Sequence, residues 1–265
     1  LGNDFYSLWL DESMTYSCAI FQNEKNRTLA EAQQAKYQRI LDKLGAKKGD
    51  HILEIGCGWG GFAQAAAKKD IKVTGVTLSN EQKLYAEKRL GRLGLNGLAT
   101  IELKDYRNVT GQFDHIVSIG MFEHVGERYW PEFFKVLCRC LMPNGKAMVQ
   151  TITIDDDVFI QNHNKAGFIE TYIFPGGMLP SKKCFTLNAE KSGLKCIDIF
   201  AFGRDYALTL RHWLTNFEAK KQCILDLGYD EAFIRMWRFY LAYCIAGFEF
   251  GRTDVMQVEL VPATL

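Results

Sequence analysis

Glu54-Ile55-Gly56-Cys57-Gly58-Trp59-Gly60-Gly61 is the stretch on which the fold turns. It follows a short β run, His51 to Ile55, and opens a helical segment, Phe62 to Lys69. Gly56, Gly58 and Gly61 satisfy G-x-G-x-x-G, and glycines there let the backbone turn sharply and approach a ligand closely. Working outward, strand and helix signals alternate. Upstream, Thr28 with Glu31 three residues on reads as a capping box for a helix ending near Leu44 at Gly45. Downstream, strands are expected at Lys72–Val76, Thr100–Leu103, Phe113–Ile119 and Lys146–Ile154. Helices are expected from Ser79 or Asn80 to Leu93, and from Pro131 to Leu141. Such alternation predicts an α/β fold with a doubly wound, Rossmann-like parallel sheet and its ligand at the strands' carboxyl ends.

After residue 155 the period breaks. Asp155 to Leu187 reads as loop or short helix, followed by aromatic-rich helices near Tyr206–Lys221 and Glu231–Phe248 and a strand at Val255–Val261. The expected organisation is one domain in four segments: an aromatic N-terminal segment at the site (1–27), a cofactor-binding core (28–154), a substrate lid (155–250) and a returning C-terminal strand (251–265).

With 48% hydrophobic and 24% charged residues in a chain of 265, disorder is excluded as the main state. The formal net charge of +1 argues against a nucleic-acid binder. No apolar run approaches the roughly 20 residues that span a bilayer. The eight cysteines include no C-x-x-C pair, so neither a disulfide scaffold nor a zinc site is expected, and a reducing cytoplasm is the expected location. The chain opens on Leu1 rather than Met, so its natural start is expected to lie elsewhere, and its first residues do not read as a signal peptide.

Two details favour S-adenosylmethionine over a dinucleotide. The second strand ends Gly75-Val76-Thr77-Leu78-Ser79, without the acid that a dinucleotide ribose needs. Glu54 stands before the glycines, where a carboxylate suits a sulfonium or an ammonium and repels pyrophosphate. Thr77, Ser79 and Gln82 fall where ribose hydroxyls would lie. Asp105 and Tyr106, after the third strand, fall where an adenine amine and ring would lie. Glu123 and His124 follow the fourth strand as candidate base or electrostatic stabiliser.

Five motifs then occur in order: Tyr16-Ser17-Cys18-Ala19, Leu53 to Gly61, Gly75 to Ser79, Met121-Phe122-Glu123-His124-Val125-Gly126, and Tyr172 to Ser181. Together they resemble the cyclopropane-fatty-acyl-phospholipid synthase family, which includes the mycolic acid methyltransferases, over nearly the whole chain. Longer members carry an N-terminal domain that these residues do not include. The resemblance implies a class I methyltransferase sheet and S-adenosylmethionine as cofactor, with Tyr16, Ser17, Leu78, Gly120 and the glycines Gly56, Gly58 and Gly60 at the cofactor. It implies alkylation of a double bond in an unsaturated fatty-acyl or phospholipid chain, with bicarbonate as the base. The bicarbonate-holding groups match Cys18, Glu123, the backbone around Ile152, and Tyr206. Tyr172, Phe174, Gly176, Trp237 and Tyr240 are the expected acyl-tunnel residues, and aromatic faces there suit a buried cation. One departure stands out: the family's cyclopropane-forming members carry His where this chain has Gln150. Glutamine donates a hydrogen bond but carries no charge and relays no proton, so bicarbonate is expected to bind more weakly or deprotonation to take another course. The product stays open between a ring and a methylene or methyl branch.

The alternative is a small-molecule N-methyltransferase, since plant alkaloid N-methyltransferases share this scaffold. Those carry an extra acid three residues before the Glu-His pair, where this chain has Gly120. A non-catalytic binder is disfavoured by the joint presence of Cys18, Glu123 and Tyr206. The substrate class implies at most a peripheral, transient contact with the inner membrane surface, because no polybasic amphipathic helix is evident.

Overall fold

The computed structural model describes residues 1–22, 24, 26–162 and 166–263. A short helix, α1 (Asn3–Ser7), opens the chain. The capping box then forms as expected: Thr28 Oγ1 accepts from the Glu31 N–H and Glu31 accepts from the Thr28 N–H, starting α2 (Leu29–Leu44). Gly45, in the left-handed region at φ 67°, closes it. The alternation follows: β1 (His51–Ile55), α3 (Gly61–Ala67), β2 (Lys72–Thr77), α4 (Asn80–Arg92), β3 (Ala99–Leu103), β4 (Phe113–Ile119), α5 (Trp130–Cys140) and β5 (Leu141–Ile154). Beyond it come α6 (Asp156–Asn162), α7 (Phe168–Tyr172), α8 (Lys182–Lys191), β6 (Leu194–Ala201), α9 (Gly203–Ala219), α10 (Lys221–Asp226), α11 (Glu231–Glu249) and β7 (Thr253–Pro262).

The strands form one sheet in the order β3-β2-β1-β4-β5-β7-β6. The first five are parallel, and β7 runs antiparallel to both β5 and β6. This is the doubly wound α/β sheet of class I methyltransferases. Parallel strands covered by helices on both faces are buried along their length, and Ile52 to Ile55 of β1 are buried accordingly, Glu54 among them. The winding reverses between β1 and β4, which opens a crevice at their carboxyl ends.

The expected lid, 155–250, needs correcting in its middle. Residues 182–201 form α8 and the edge strand β6, which belong to the sheet layer rather than to a lid. Asp198 of β6 pairs with Lys43 and Arg39 of α2, tying that edge to the first long helix. The C-terminal strand returns as expected, with residues 264 and 265 of its segment outside the described ones. α9 and α11 pack on each other and close over the N-terminal segment. Their shared core is aromatic: Phe5 and Trp9 meet Trp213, Phe217, Phe233 and Trp237 edge-on, and Phe233 stacks on Trp237. Among the described residues no helix is long and apolar enough to cross a membrane.

Candidate active site

One cavity of about 1400 Å3 lies across the carboxyl ends of the parallel strands. A single small-ligand pocket typically spans ~300–1,000 Å3, so there is room for two ligands. At one end is the glycine loop. Gly56 and Gly58 line the cavity at φ 81° and 51°, a region that disfavours any side chain. A Cβ on Gly56 would stand 2.9 Å from the Met121 Cβ. Gly60 plays a different part: a Cβ there would meet Ala86 of α4 at 2.9 Å, so this glycine lets two helices approach and does not line the cavity. Glu54 ends at the cavity wall with Oε2 buried and unpartnered among the described residues. Burial pushes its carboxyl well above the usual range, against the pull of the Ala63 N–H and Lys36.

Thr77, Leu78, Ser79 and Gln82 line the same end. Thr77 donates to Gln82 Oε1 at 2.8 Å, and Ser79 caps α4 by accepting the Gln82 N–H at 3.2 Å. These contacts fix their orientation. Asp105 and Tyr106 also reach the cavity. The Asp105 carboxylate is clasped by the Arg107 side chain, which holds it below the usual carboxylate range. The Tyr106 ring packs edge-on against Phe133.

Tyr16, Ser17 and Cys18 enter from the N-terminal segment, fastened on three sides. From α2, Gln33 Nε2 donates to Ser17 O at 2.9 Å and Lys36 Nζ to Ser17 Oγ at 2.6 Å. From α9, Thr209 Oγ1 accepts the Ala19 N–H at 3.1 Å. From β5, Gln150 Nε2 reaches Cys18 O at 3.5 Å. Gln150 is itself held, accepting from Gln257 Nε2 at 3.0 Å, and Gln257 accepts from Arg39 at 2.6 Å.

The other end of the cavity centres on Glu123, carried by a one-turn helix after β4. Its main-chain carbonyl accepts the Met178 N–H at 2.8 Å, which anchors the turn to the Gly176-Gly177-Met178 loop. Its Oε1 accepts the Ile152 N–H at 2.8 Å, while Oε2 is buried without a partner among the described residues. Burial pushes the carboxyl up to about 7. His124 lies edge-on to Phe174, its basicity lowered by burial. Cys18, Gln150, Ile152 and Tyr206 border the same compartment, and Gly120 stands between the two ends. The Cys18 thiol donates to Ala19 O at 3.1 Å, and burial holds it strongly protonated.

Of the expected tunnel residues, Phe174 and Tyr240 line the cavity, with the Tyr240 and Tyr16 hydroxyls 2.8 Å apart. Tyr172 is 64% exposed on the outer face, Gly176 sits in the loop turn, and Trp237 stacks on Phe233 behind the wall. None of these three borders the cavity. Lys36 escaped the sequence-based reading. Its signal was a lysine inside the buried stripe Leu29, Ala32, Gln33, Lys36, Tyr37, Ile40 of α2.

The sequence profile of mycolic acid cyclopropane synthetase matches residues 1–258. The tuberculostearic acid methyltransferase of Mycobacterium tuberculosis is 40% identical over 98% of this chain and 63% of its own length. The cyclopropane-fatty-acyl-phospholipid synthase of Escherichia coli is 41% identical over 97% of this chain and 65% of its own. The chain therefore spans just under two thirds of these relatives. A solved mycolic acid cyclopropane synthase complexed with SAH and CTAB superposes with a TM-score of 0.90 at 32% identity, covering 98% of this chain and 94% of that one.

Proposed function

The chain belongs to the mycolic acid cyclopropane synthetase family, and from that premise we propose that it methylates the double bond of an unsaturated fatty-acyl chain, with S-adenosylmethionine as donor. One observation carries the proposal: a single cavity joins a glycine-loop cofactor end to an aromatic compartment holding a buried carboxylate, Glu123. The residues fit the donor. Gly56 would lose its close approach with any Cβ, and the orphaned Glu54 oxygen offers an acceptor at the loop. When bound, the cofactor supplies an electrophilic methyl on a cationic sulfur. Thr77, Ser79, Gln82, Asp105 and Tyr106 would hold its nucleoside end.

The acyl compartment is suited to developing positive charge. Tyr16, Phe174, Tyr206 and Tyr240 present ring faces or edges, and the Glu123 carboxyl of the same compartment is held on Oε1 by the Ile152 N–H. Cys18 stays a protonated thiol. Glu123 would accept the departing proton, directly or through a bicarbonate that would be held against it. The free Oε2 of Glu123, the Tyr206 hydroxyl and the spare amide hydrogen of Gln150 are the groups that would hold that ion. The exposed rings of Tyr243 and Phe250 stand at the cavity's outer edge, where a lipid chain would enter from a membrane surface.

The test is mass spectrometry after incubation with S-adenosylmethionine and either unsaturated phospholipid vesicles or an amine panel. An acyl chain heavier by one CH2 is the expected product. Methylated amine instead would establish the N-methyltransferase alternative, which Gly120 disfavours by leaving no acid beside the cavity there. A second expectation concerns the loop. Gly56→Ala adds a side chain at positive φ, costing about 1–2 kcal/mol, and pushes on Met121. S-adenosylhomocysteine affinity is expected to fall at least about tenfold, and unchanged affinity by calorimetry would displace the cofactor from this loop. A third concerns pH. With the Glu123 carboxylate as the working form and burial raising it to about 7, kcat/KM is expected to climb about tenfold per unit below that point and level off above it. A flat profile between pH 5.5 and 8.5 would remove Glu123 from the proton transfer.

A further inference from the structure

Lys36 is fully buried, yet among the described residues no carboxylate pairs with it. Its Nζ reaches the Ser17 hydroxyl at 2.6 Å and the face of Tyr37, 4.9 Å from the ring centre. An ammonium has donors only, so Ser17 Oγ must accept from it. The serine's own hydrogen is then free, and Ser17 lines the cavity beside Gly120 at the cofactor end. A hydroxyl polarised by a buried cation, with its hydrogen turned to a cavity, recognises an acceptor that is anionic. A buried ammonium is costly unless a counter-charge arrives, and the fold supplies none in contact.

We propose that Lys36 is a positioning residue for the cofactor: it orients Ser17 to donate to the carboxylate at the cofactor's amino-acid end, and its charge is that carboxylate's counter-ion. The inference rests on the cofactor assignment above. It also divides the amino-acid end between two sides, Lys36 with Ser17 for the carboxylate and Glu54 for the ammonium. The groups facing Lys36 are Asp11 and Cys18 from the N-terminal segment, Glu54 from β1 and Tyr37 from its own helix. Burial outweighs them and lowers the ammonium to about 7 in the free protein. A bound carboxylate raises it again, so binding takes up a proton near neutral pH.

Two probes separate this role from a structural one. S-adenosylhomocysteine carries the carboxylate, whereas 5′-methylthioadenosine keeps the nucleoside and sulfur without the amino-acid end. Lys36→Met matches the side chain in length and removes a buried charge, so the fold is retained. By calorimetry it is expected to weaken S-adenosylhomocysteine at least about tenfold and methylthioadenosine less than about twofold. Lys36→Arg, whose guanidinium does not fit the same pocket as a point charge, is expected to recover only part. Equal loss for both probes, or loss for neither, overturns the proposal. The pH dependence gives a second check: Glu54 titrates in both proteins, so the ratio of wild-type to Lys36→Met affinity for S-adenosylhomocysteine is expected to fall about tenfold between pH 6.5 and 8.5, while the ratio for methylthioadenosine stays level. A level profile for both overturns it equally. Wild-type protein that binds neither probe at any pH instead brings down the cofactor assignment, and this inference with it.

Discussion

Glu123→Gln is expected to lower turnover by about 10²- to 10⁴-fold, the usual range for a lost general base, while S-adenosylhomocysteine affinity changes less than about threefold. The geometry explains the separation. Oε1 accepts the Ile152 N–H, and a glutamine carbonyl accepts it equally well, so the turn stays anchored through Met178 and Ile152. Only the capacity of Oε2 to take a proton or orient an anion is lost. The stability change should run the opposite way. A carboxyl raised in the folded state is stabilising while protonated, fully so below its unfolded value near 4.5, and that contribution disappears as pH rises through about 7. At pH 8 the wild-type protein carries the cost of a buried, half-satisfied carboxylate, which glutamine does not. Glu123→Gln should therefore melt no lower than wild type at pH 8, and the gap should narrow as pH falls toward 5. A variant that is inactive and also melts markedly lower would show that the side chain matters for folding rather than chemistry. Undiminished turnover would move the chemical site elsewhere.

Trp213→Ala carries the largest expected cost in stability. Trp213 is fully buried, with ring centres of Tyr16, Trp9 and Tyr206 at 5.2, 5.8 and 6.0 Å. Removing a buried Trp typically costs about 3–5 kcal/mol. In a chain of this size that is a fall of roughly 6–20 °C in Tm, at about 2–4 °C per kcal/mol. Activity should fall as well, because Tyr16 and Tyr206 both border the cavity and both lean on this ring. Trp213→Phe, which keeps most of the apolar volume, should recover more than half of the loss. Thermal melts and turnover on the same samples decide it. A shift under about 2 °C for the alanine variant would mean that the aromatic cluster collapses around the gap and is not the joint between the N-terminal segment and α9.

What could be seen in the sequence, and what could not, follows physical lines. β1 and β4 were legible because short runs rich in Ile, Leu, Val and Phe, Ile52-Leu53 with Ile55 and Ile116-Val117 with Ile119, stand between turn signals, and the glycine loop because a backbone at positive φ selects one residue type. Glu123, Thr77 and Asp105 were legible from their place just after strand ends, where a doubly wound sheet puts its ligand. β6 was not. Along Leu194 to Ala201 the exposed face carries Ile197 and Ile199 while the covered face carries Asp198, so alternation points the wrong way. That inversion makes sense only once Lys43 and Arg39 are known to meet Asp198. Lys36 was hidden for a related reason. A lysine at helical spacing is ordinarily solvated, and only the three-dimensional path of Ser17 shows why this one is not. Trp237 and Tyr172 show the converse: an aromatic stripe on α11 and a motif position at the end of α7 did not reveal which rings touch the cavity and which face solvent or lie behind its wall.

The position of β7 has a consequence for how the protein is made. β7 is wedged between β5 and β6: β5 pairs with β4 on its other side, whereas among the described residues β6 pairs with β7 alone. While the ribosome still holds Thr253 to Pro262, β6 has no partner and β5 shows a bare apolar margin. The nascent molecule thus emerges with its nucleotide-type half able to assemble and its far third waiting. Pairings so distant in sequence form slowly, and unpaired strand margins invite association between chains. Copies that stop short of Thr253 are therefore the ones that chaperones must intercept, and slowing translation over the codons for Thr253 to Pro262 should increase the fraction of the product found in aggregates.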